Sequence, residues 1–181
     1  METDGARVRL RPFEAEDAEP VVAALQHPDL AGVGLLDDEV DLPRSRVVLR
    51  EAVESWAKPE QGETWVIDAG DTIVGWARAG WGWDALSPWA GVAVIPEHRR
   101  RGIGTESADI LLAHLFDDTV AHTVHVWIAE WNEPGLAFAH ALGFSMSGRV
   151  RRTGVRSGRY FDTVAFELLR QDWEERRGPR R

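Results

Sequence analysis

The most informative segment of this chain is VAVIPEHRRRGIGTE, which spans Val92–Glu106. It begins as an apolar run long enough for a buried strand, and Pro96 ends that strand because proline has no N–H to donate. Three consecutive arginines and the pair Gly102 and Gly104 follow, and apolar residues then recur at helical spacing. The residue order therefore predicts a strand, a basic glycine-rich turn and a helix.

This order of elements suits the binding of an anion. The first N–H groups of a helix have no intrahelical partner, and the helix dipole adds partial positive charge at the same end. Glycine leaves these N–H groups accessible, so the turn predicts a phosphate-binding site to which Arg99, Arg100 and Arg101 add charge. The alternative is an ordinary strand-to-helix turn whose arginines are solvated. A Walker loop and a dinucleotide fingerprint are both excluded, because their lysine and first glycine are missing.

The composition of the 181 residues indicates a single folded domain. Hydrophobic residues make up 44% of the chain, which argues against disorder. The absence of cysteine excludes disulfides, thiolate metal ligands and a cysteine nucleophile, and no metal is predicted. The net charge of −9 argues against nucleic acid as the main partner. No signal peptide and no apolar run of membrane-spanning length are visible, so we expect a cytoplasmic protein without a membrane partner.

The hydrophobic pattern along the chain predicts a mixed α/β plan. Its elements are a strand, two helices, three strands, a helix, a strand, a helix and two strands. No repeat and no linker divides this order. We therefore expect one domain over residues 1–181, with its core at residues 7–170 and a flexible basic tail at residues 174–181.

Several motifs resemble those of one enzyme family. Arg-x-x-Gly-x-Gly, read at Arg99, Gly102 and Gly104, resembles the acyl-coenzyme A pyrophosphate loop of the GCN5-related N-acetyltransferases, or GNATs. Asn132 followed by Gly-Phe at 143–144 matches the spacing of that family, and the order of elements is also similar.

The two ends of the chain are similar to one branch of this family, the enzymes that acetylate the N-termini of ribosomal proteins. The opening Arg-Leu-Arg-Pro-Phe with a later Glu-Asp-Ala carries part of the likeness. The C-terminal part is carried by the arginines after Gly148 and by Gly148, Gly158, Asp162, Leu168, Leu169 and Trp173. The resemblance therefore covers nearly the whole chain.

The resemblance implies an α/β (α+β) fold of the acyl-CoA N-acyltransferase type, a mixed and mostly antiparallel sheet of about seven strands with about four flanking helices. Its fourth and fifth strands would splay apart and expose backbone groups that pair with the pantetheine arm of acetyl-CoA, the implied cosubstrate. The cofactor-binding residues so implied are Val92, Ala93, Val94, Arg99, Arg100, Arg101, Gly102, Ile103, Gly104, Thr105 and Asn132. For Asn132, a plain helix N-cap is the alternative.

The implied reaction is direct attack of a neutral amine on the thioester, which requires removal of a proton and stabilisation of an oxyanion near Val94. The family's tyrosine acid falls at Ala139 and its glutamate base at Trp89, so neither group is present. Asp84 and Glu130 are candidate bases, although each also fits an ordinary solvated carboxylate. His125, within the fifth predicted strand, is expected to be a core or cross-strand residue rather than a base.

The acceptor is expected to be a primary amine on a peptide, an antibiotic, a polyamine or a small metabolite. Trp83 and Trp131 are predicted to line its pocket, with core filling as the alternative. The missing catalytic side chains leave a second possibility, a non-catalytic or altered-acyl coenzyme A module. A phosphate-binding protein of another fold fits the sequence less well. A monomer or a homodimer is expected.

Overall fold

The computed structural model of the protein describes residues 7–27, 29–30, 45–58, 60, 62–70, 72–82 and 84–178. Seven strands form one sheet in the order β1-β2-β3-β4-β5-β7-β6. All neighbouring strands are antiparallel except β4 and β5, which are parallel. The strands are β1 (Arg9–Pro12), β2 (Glu63–Asp68), β3 (Ile73–Gly80), β4 (Trp89–Val94), β5 (Thr123–Ala129), β6 (Ser145–Arg156) and β7 (Arg159–Leu169).

Five α-helices are present in the described parts of the chain. They are α1 (Ala18–Leu25), α2 (Arg46–Glu54), α3 (Ile103–Ala113), α4 (Glu133–Ala141) and α5 (Arg170–Arg177). A short 3₁₀ turn, Pro96–His98, connects β4 to the loop before α3. The predicted sheet and element order are confirmed, and α5 adds a helix to the predicted set. No helix within the described ranges is long and apolar enough to cross a bilayer.

Two apolar clusters fill the two faces of the sheet. Because side chains alternate along a strand, Val66 and Trp76 point to the face that α1 and α2 cover. Ile67 and Ala77 point to the opposite face, where α3 packs. The sheet is thus buried on both faces along its first strands, which gives β4 a fixed position between two helical layers.

The parallel strands β4 and β5 are paired at one register position, Trp89 with His125, although every residue of both strands is described. The His125 N–H donates to the Pro88 carbonyl over 2.9 Å. The Leu86 carbonyl accepts from the N–H groups of His122 (2.7 Å) and Thr123 (3.2 Å). The two strands are therefore joined where they begin and separate toward their C-terminal ends.

The C-terminal segment differs from the flexible tail that the sequence predicted from residue 174, because α5 continues to Arg177. Trp173 is buried, and its ring centroid lies 5.1 Å from that of Phe116. Arg177 also pairs with Asp117 over 2.9 Å. Burial of one large aromatic ring holds a helix whose other side chains are mostly charged and exposed.

Replacing Trp173 by alanine should destabilise the protein, because it removes the ring that attaches α5 to Phe116. We expect a loss of about 3–5 kcal/mol in the free energy of unfolding, the usual range for a buried aromatic side chain. Urea denaturation measures this loss. The exposed Gln171→Ala on the same helix is the control, and it should change stability by less than about 0.5 kcal/mol. Equal stabilities of the two variants would contradict the docking of α5.

Candidate active site

The turn between β4 and α3 adopts backbone conformations that leave the helix end open. Arg100 and Gly102 have positive φ values of 61° and 79°, a region that glycine enters without strain. Gly102 is the N-cap of α3 and provides no side chain to cap it. The first intrahelical bond joins the Glu106 N–H to the Gly102 carbonyl over 3.0 Å. The amide groups of Ile103–Thr105 therefore precede the helical ladder and face the turn.

Gly104 lies where the start of α3 meets two other elements. A Cβ built on Gly104 would be 3.6 Å from Val94 Cγ2 and 3.6 Å from Phe138 Cζ, which are ordinary van der Waals distances. A methyl group therefore fits at this position, whereas a longer side chain would have to pass these two neighbours at the start of α3.

The three arginines of the turn have different surroundings. The Arg99 Nε donates to the Val94 carbonyl over 2.9 Å, and its Nη1 lies 3.8 Å from the Asp29 carboxylate. Arg100 and Arg101 are exposed. Arg99, predicted as a phosphate ligand, thus ties the turn to the end of β4, while its neighbours extend into solvent.

Two of the three predicted residues of β4 direct their backbone into the gap. The Ile95 N–H donates to the Val74 carbonyl of the β3 side over 2.9 Å, and alternate residues of a strand aim their backbone groups at opposite neighbours. Val92 and Val94 therefore point toward β5. Ala93 is opposite Trp76 of β3 and its side chain is buried, so its backbone points away from the gap.

Asn132 stands at the wide end of the gap, directly before α4. Its N–H donates to the Ala129 carbonyl over 2.9 Å, and its Oδ1 accepts from the Gly135 N–H over 3.1 Å. The capping role considered from the sequence is therefore present. A Cβ on Gly135 would be 2.6 Å from the Asn132 side-chain nitrogen, so only glycine leaves room for this cap.

Arg7 is a cation near the turn that the sequence did not reveal. Its N–H donates to Glu106 Oε1 over 2.5 Å, and its Nε lies 3.4 Å from Glu106 Oε2. Its Nη2 lies 2.8 Å from the position that a Cβ on Gly102 would take. Since 99 residues separate Arg7 from Glu106, no local pattern could indicate this contact.

Comparison with known proteins agrees with this geometry. The model of the acetyltransferase (GNAT) domain family matches residues 7–145, more than half of the chain. The chain belongs to the GNAT family. It is an acyltransferase, and acetyl-CoA is its cosubstrate.

One curated relative spans most of the length of this GNAT, and another matches less than half of it. It is 25% identical over 164 residues to YokL, an uncharacterized N-acetyltransferase from the SPbeta prophage of Bacillus subtilis, which covers 86% of this chain and 92% of YokL. It is 27% identical over 84 residues, 46% of each chain, to YdaF of the same organism, whose name assigns it provisionally to the ribosomal N-acetyltransferases. The solved spermidine N-acetyltransferase of Vibrio cholerae with CoA and spermine is 16% identical, with a TM-score of 0.79 over 92% of this chain and 98% of that chain.

Asp84, one of the two candidate bases, shapes the loop before β4. Its Oδ1 accepts from the Leu86 N–H over 2.6 Å and its Oδ2 from the Ser87 hydroxyl over 2.9 Å. These two bonds, the backbone bond first, lower the pKa of the Asp84 carboxyl. Because Leu86 also holds the start of β5, Asp84 supports the closed end of the gap, and a lowered pKa makes it a weaker proton acceptor.

Glu130, the other candidate base, has both carboxylate oxygens bonded. Oε1 accepts from the Asp162 N–H over 2.9 Å, and Oε2 accepts from Arg149 Nη1 over 3.0 Å. Arg149 also reaches Asp162, whose pKa is lowered first by a bond from the Arg152 N–H and then by Arg149. Glu130 thus joins the end of β5 to β6 and β7.

The predicted aromatic pocket is described in part, because Trp83 lies outside the described residues. The Arg156 guanidinium carbon lies 3.7 Å from the ring centroid of Trp131, and the Phe161 ring meets Trp131 edge-on at 6.1 Å. The Trp131 Nε1 is buried and finds no hydrogen-bond partner among the residues that the structure describes. Trp131 therefore packs against the β6–β7 hairpin, beside Asn132 at the wide end of the gap.

Substitutions of Gly104 should change the binding of CoA at the turn without unfolding the protein. Gly104→Glu places bulk and negative charge before the amides of α3, so we expect loss of CoA binding in isothermal titration calorimetry. Gly104→Ala is the matched control, because its Cβ meets neighbours at ordinary distances and should retain measurable binding. Unchanged CoA affinity in a folded Gly104→Glu protein would show that the diphosphate binds elsewhere.

The Asp84→Asn variant should keep the acidic limb of the pH–rate profile, which is the fall in rate toward low pH. The Leu86 N–H requires only an oxygen acceptor at residue 84, and an amide oxygen provides one. We expect kcat/KM to fall by less than about tenfold, whereas loss of a general base costs about 10²–10⁴-fold. Glu130→Gln is the parallel variant. Thiol release measured from pH 5 to 9 tests both, and disappearance of the acidic limb in either would identify that residue as the base.

Proposed function

We propose that this GNAT transfers the acetyl group of acetyl-CoA to a primary amine by direct attack within a ternary complex. The observation that carries this proposal is the divergence of β4 from β5, with the backbone groups of Val92 and Val94 directed into the gap. An extended arm can pair with such an open strand edge as an added strand would. The pantetheine arm of acetyl-CoA has the amide groups that this pairing requires.

The phosphate end of the cosubstrate is proposed to lie on the turn before α3. The amides of Ile103, Gly104 and Thr105 would bind the diphosphate, and the exposed Arg100 and Arg101 would add charge. Asn132 caps α4 through its oxygen, so its amide nitrogen is the part that could donate to the pantetheine arm. The turn before α3 and Asn132 would thus bind two parts of one extended ligand, its diphosphate and its pantetheine arm.

The chemistry follows from holding the two reactants together. The amine nitrogen forms a bond to the thioester carbonyl carbon, the C–S bond breaks, and the coenzyme A thiolate leaves with a proton. The Val94 N–H, aimed into the gap, is the proposed donor to the developing oxyanion. Ala139 is buried in α4, so the position of the family's tyrosine supplies no acid.

The acceptor is proposed to be a primary amine of a peptide N-terminus, an antibiotic, a polyamine or a small metabolite. Assignment to the ribosomal-protein branch is supported by the C-terminal pattern in the sequence and by the partial match to YdaF. The proposal retains the cytoplasmic location and the monomeric or homodimeric state expected from the sequence.

A second candidate is an altered-acyl or non-catalytic coenzyme A module. It is favoured by the bonded state of Asp84 and Glu130 and by the absence of a side-chain acid at Ala139. Calorimetric titration with acetyl-, succinyl- and longer acyl-CoA separates the two functions. A clear preference for a longer or charged acyl group would replace the acetyl assignment.

Mixing the protein with acetyl-CoA and a panel of amines should release free thiol with at least one of them. The panel contains spermine, a peptide with a free N-terminus, an aminoglycoside and a free amino acid. Mass spectrometry of the product checks that the acetyl group has moved to nitrogen. Tight binding of acetyl-CoA without thiol release from any amine would overturn the catalytic proposal and leave the binding module.

A further inference from the structure

His125 occupies the closed end of the gap between β4 and β5. It is the β5 residue of their one register pair, and its backbone is held by the Pro88 carbonyl. Its side chain is half-buried and makes no hydrogen bond to the described residues. The sequence predicted a core or cross-strand residue rather than a base. The pairing with Glu167 of β7 agrees with the cross-strand alternative, whereas the partial exposure of the side chain does not agree with a core position.

The face of the sheet that carries His125 is the accessible one at this strand. Alternation along β5 places Val124 and Val126 with the apolar cluster under α3 and α4, and it places His125 and Trp127 on the other face. The Trp127 residue is 54% exposed. An acceptor therefore approaches the gap from the side on which His125 lies.

The shape of the gap places the reacting end of the cosubstrate near His125. The gap is widest near α3, where the diphosphate is proposed to bind, and it closes at the pair of Trp89 and His125. An arm that enters from the wide end has its thioester nearest the closed end. Val92 and Val94 line the β4 side of this passage, so an acetyl group at this point would lie between their amides and His125.

We propose that His125 is the general base of the transfer and that the same imidazole afterwards acts as the acid; this inference rests on the proposed function. The neutral ring accepts the proton of the amine, directly or through one water, as the C–N bond forms. The C–S bond breaks, and the imidazolium returns the proton to the departing thiolate. His125 thus takes the proton from the amine and returns it to the thiolate. Asp84 and Glu130 are held by other hydrogen bonds, and Ala139 has no acidic side chain.

Among the described residues, two parts of the fold bring charged groups toward His125. Glu167 of β7 is the register partner of His125. The His125 N–H points to β4 instead of β7, so the two residues form a non-hydrogen-bonded pair, in which opposite side chains lie closer together. Asp84 lies in the loop before β4, and His122 lies directly before β5, both at the closed end of the gap. Asp84 interacts electrostatically with both His122 and His125. On β4 the facing residue is the uncharged Trp89. Imidazole is the side chain most often used as a general base or acid in enzymes.

The test compares His125→Gln with His122→Gln, whose exposed side chain lies outside the proposed passage. With an amine that the wild-type protein acetylates, we expect kcat/KM of His125→Gln to fall by about 10²–10⁴-fold and the acidic limb to disappear. CoA affinity should be unchanged, added imidazole should partly restore the rate of His125→Ala, and His122→Gln should behave as wild type. An acidic limb retained in folded His125→Gln would overturn the proposal.

A second measurement avoids dependence on the variant. In NMR spectra of the wild-type protein, CoA should shift the ring signals of His125 and leave those of His122 unchanged, and the His125 titration midpoint should match the acidic limb. If CoA does not shift the ring signals of His125, the base role of His125 is wrong, while the proposed acetyl transfer is unaffected. Absence of thiol release from every amine in the wild type would overturn the proposed function, and the base role with it.

Discussion

The structure depends on the incomplete pairing of two neighbouring parallel strands. β4 and β5 meet at Trp89 and His125 and then diverge, while each remains fully bonded to its other neighbour, β3 or β7. Bonds from the loop before β4 to the start of β5 hold the closed end, and α3 and α4 fill one face of the open end. The sheet thus retains one internal edge at which neighbouring strands do not pair along most of their length, which is the feature of a binding slot rather than of a packed core.

Local chemistry made the central part of the molecule predictable. Between Val92 and Glu106, Pro96 ends the strand and Gly102 and Gly104 permit the turn, so strand, turn and helix follow from residue type. The order and number of strands also follow from hydrophobic patterning and are confirmed. The last helix was not foreseen, because Trp173 acquires its role from Phe116 on a distant segment, and a window of charged residues gives no sign of that contact.

The candidate site was predictable to a smaller extent, because residue type does not disclose hydrogen-bond partners. Asp84 and Glu130 are near the gap, as their sequence positions suggested, yet each is occupied by backbone and side-chain donors. Arg99 likewise bonds a strand carbonyl. His125 shows the opposite case, since its strand position suggested a structural residue, and only the structure shows that it lies on the accessible face of β5 at the end of the gap. Trp83 lies outside the described residues, so its predicted role stays a prediction.

The bond from Arg99 to the Val94 carbonyl has a consequence for ligand selection. It ties the turn proposed to bind the diphosphate to the strand end proposed to face the oxyanion, so a direct contact holds the span between these two points. With both proposed contacts made, this span would act as a molecular ruler: it would favour a carrier whose linker matches it and would leave shorter or longer carriers with their reactive carbonyl out of alignment. Discrimination among thioesters would then arise from length matching, before the acyl group itself is recognised.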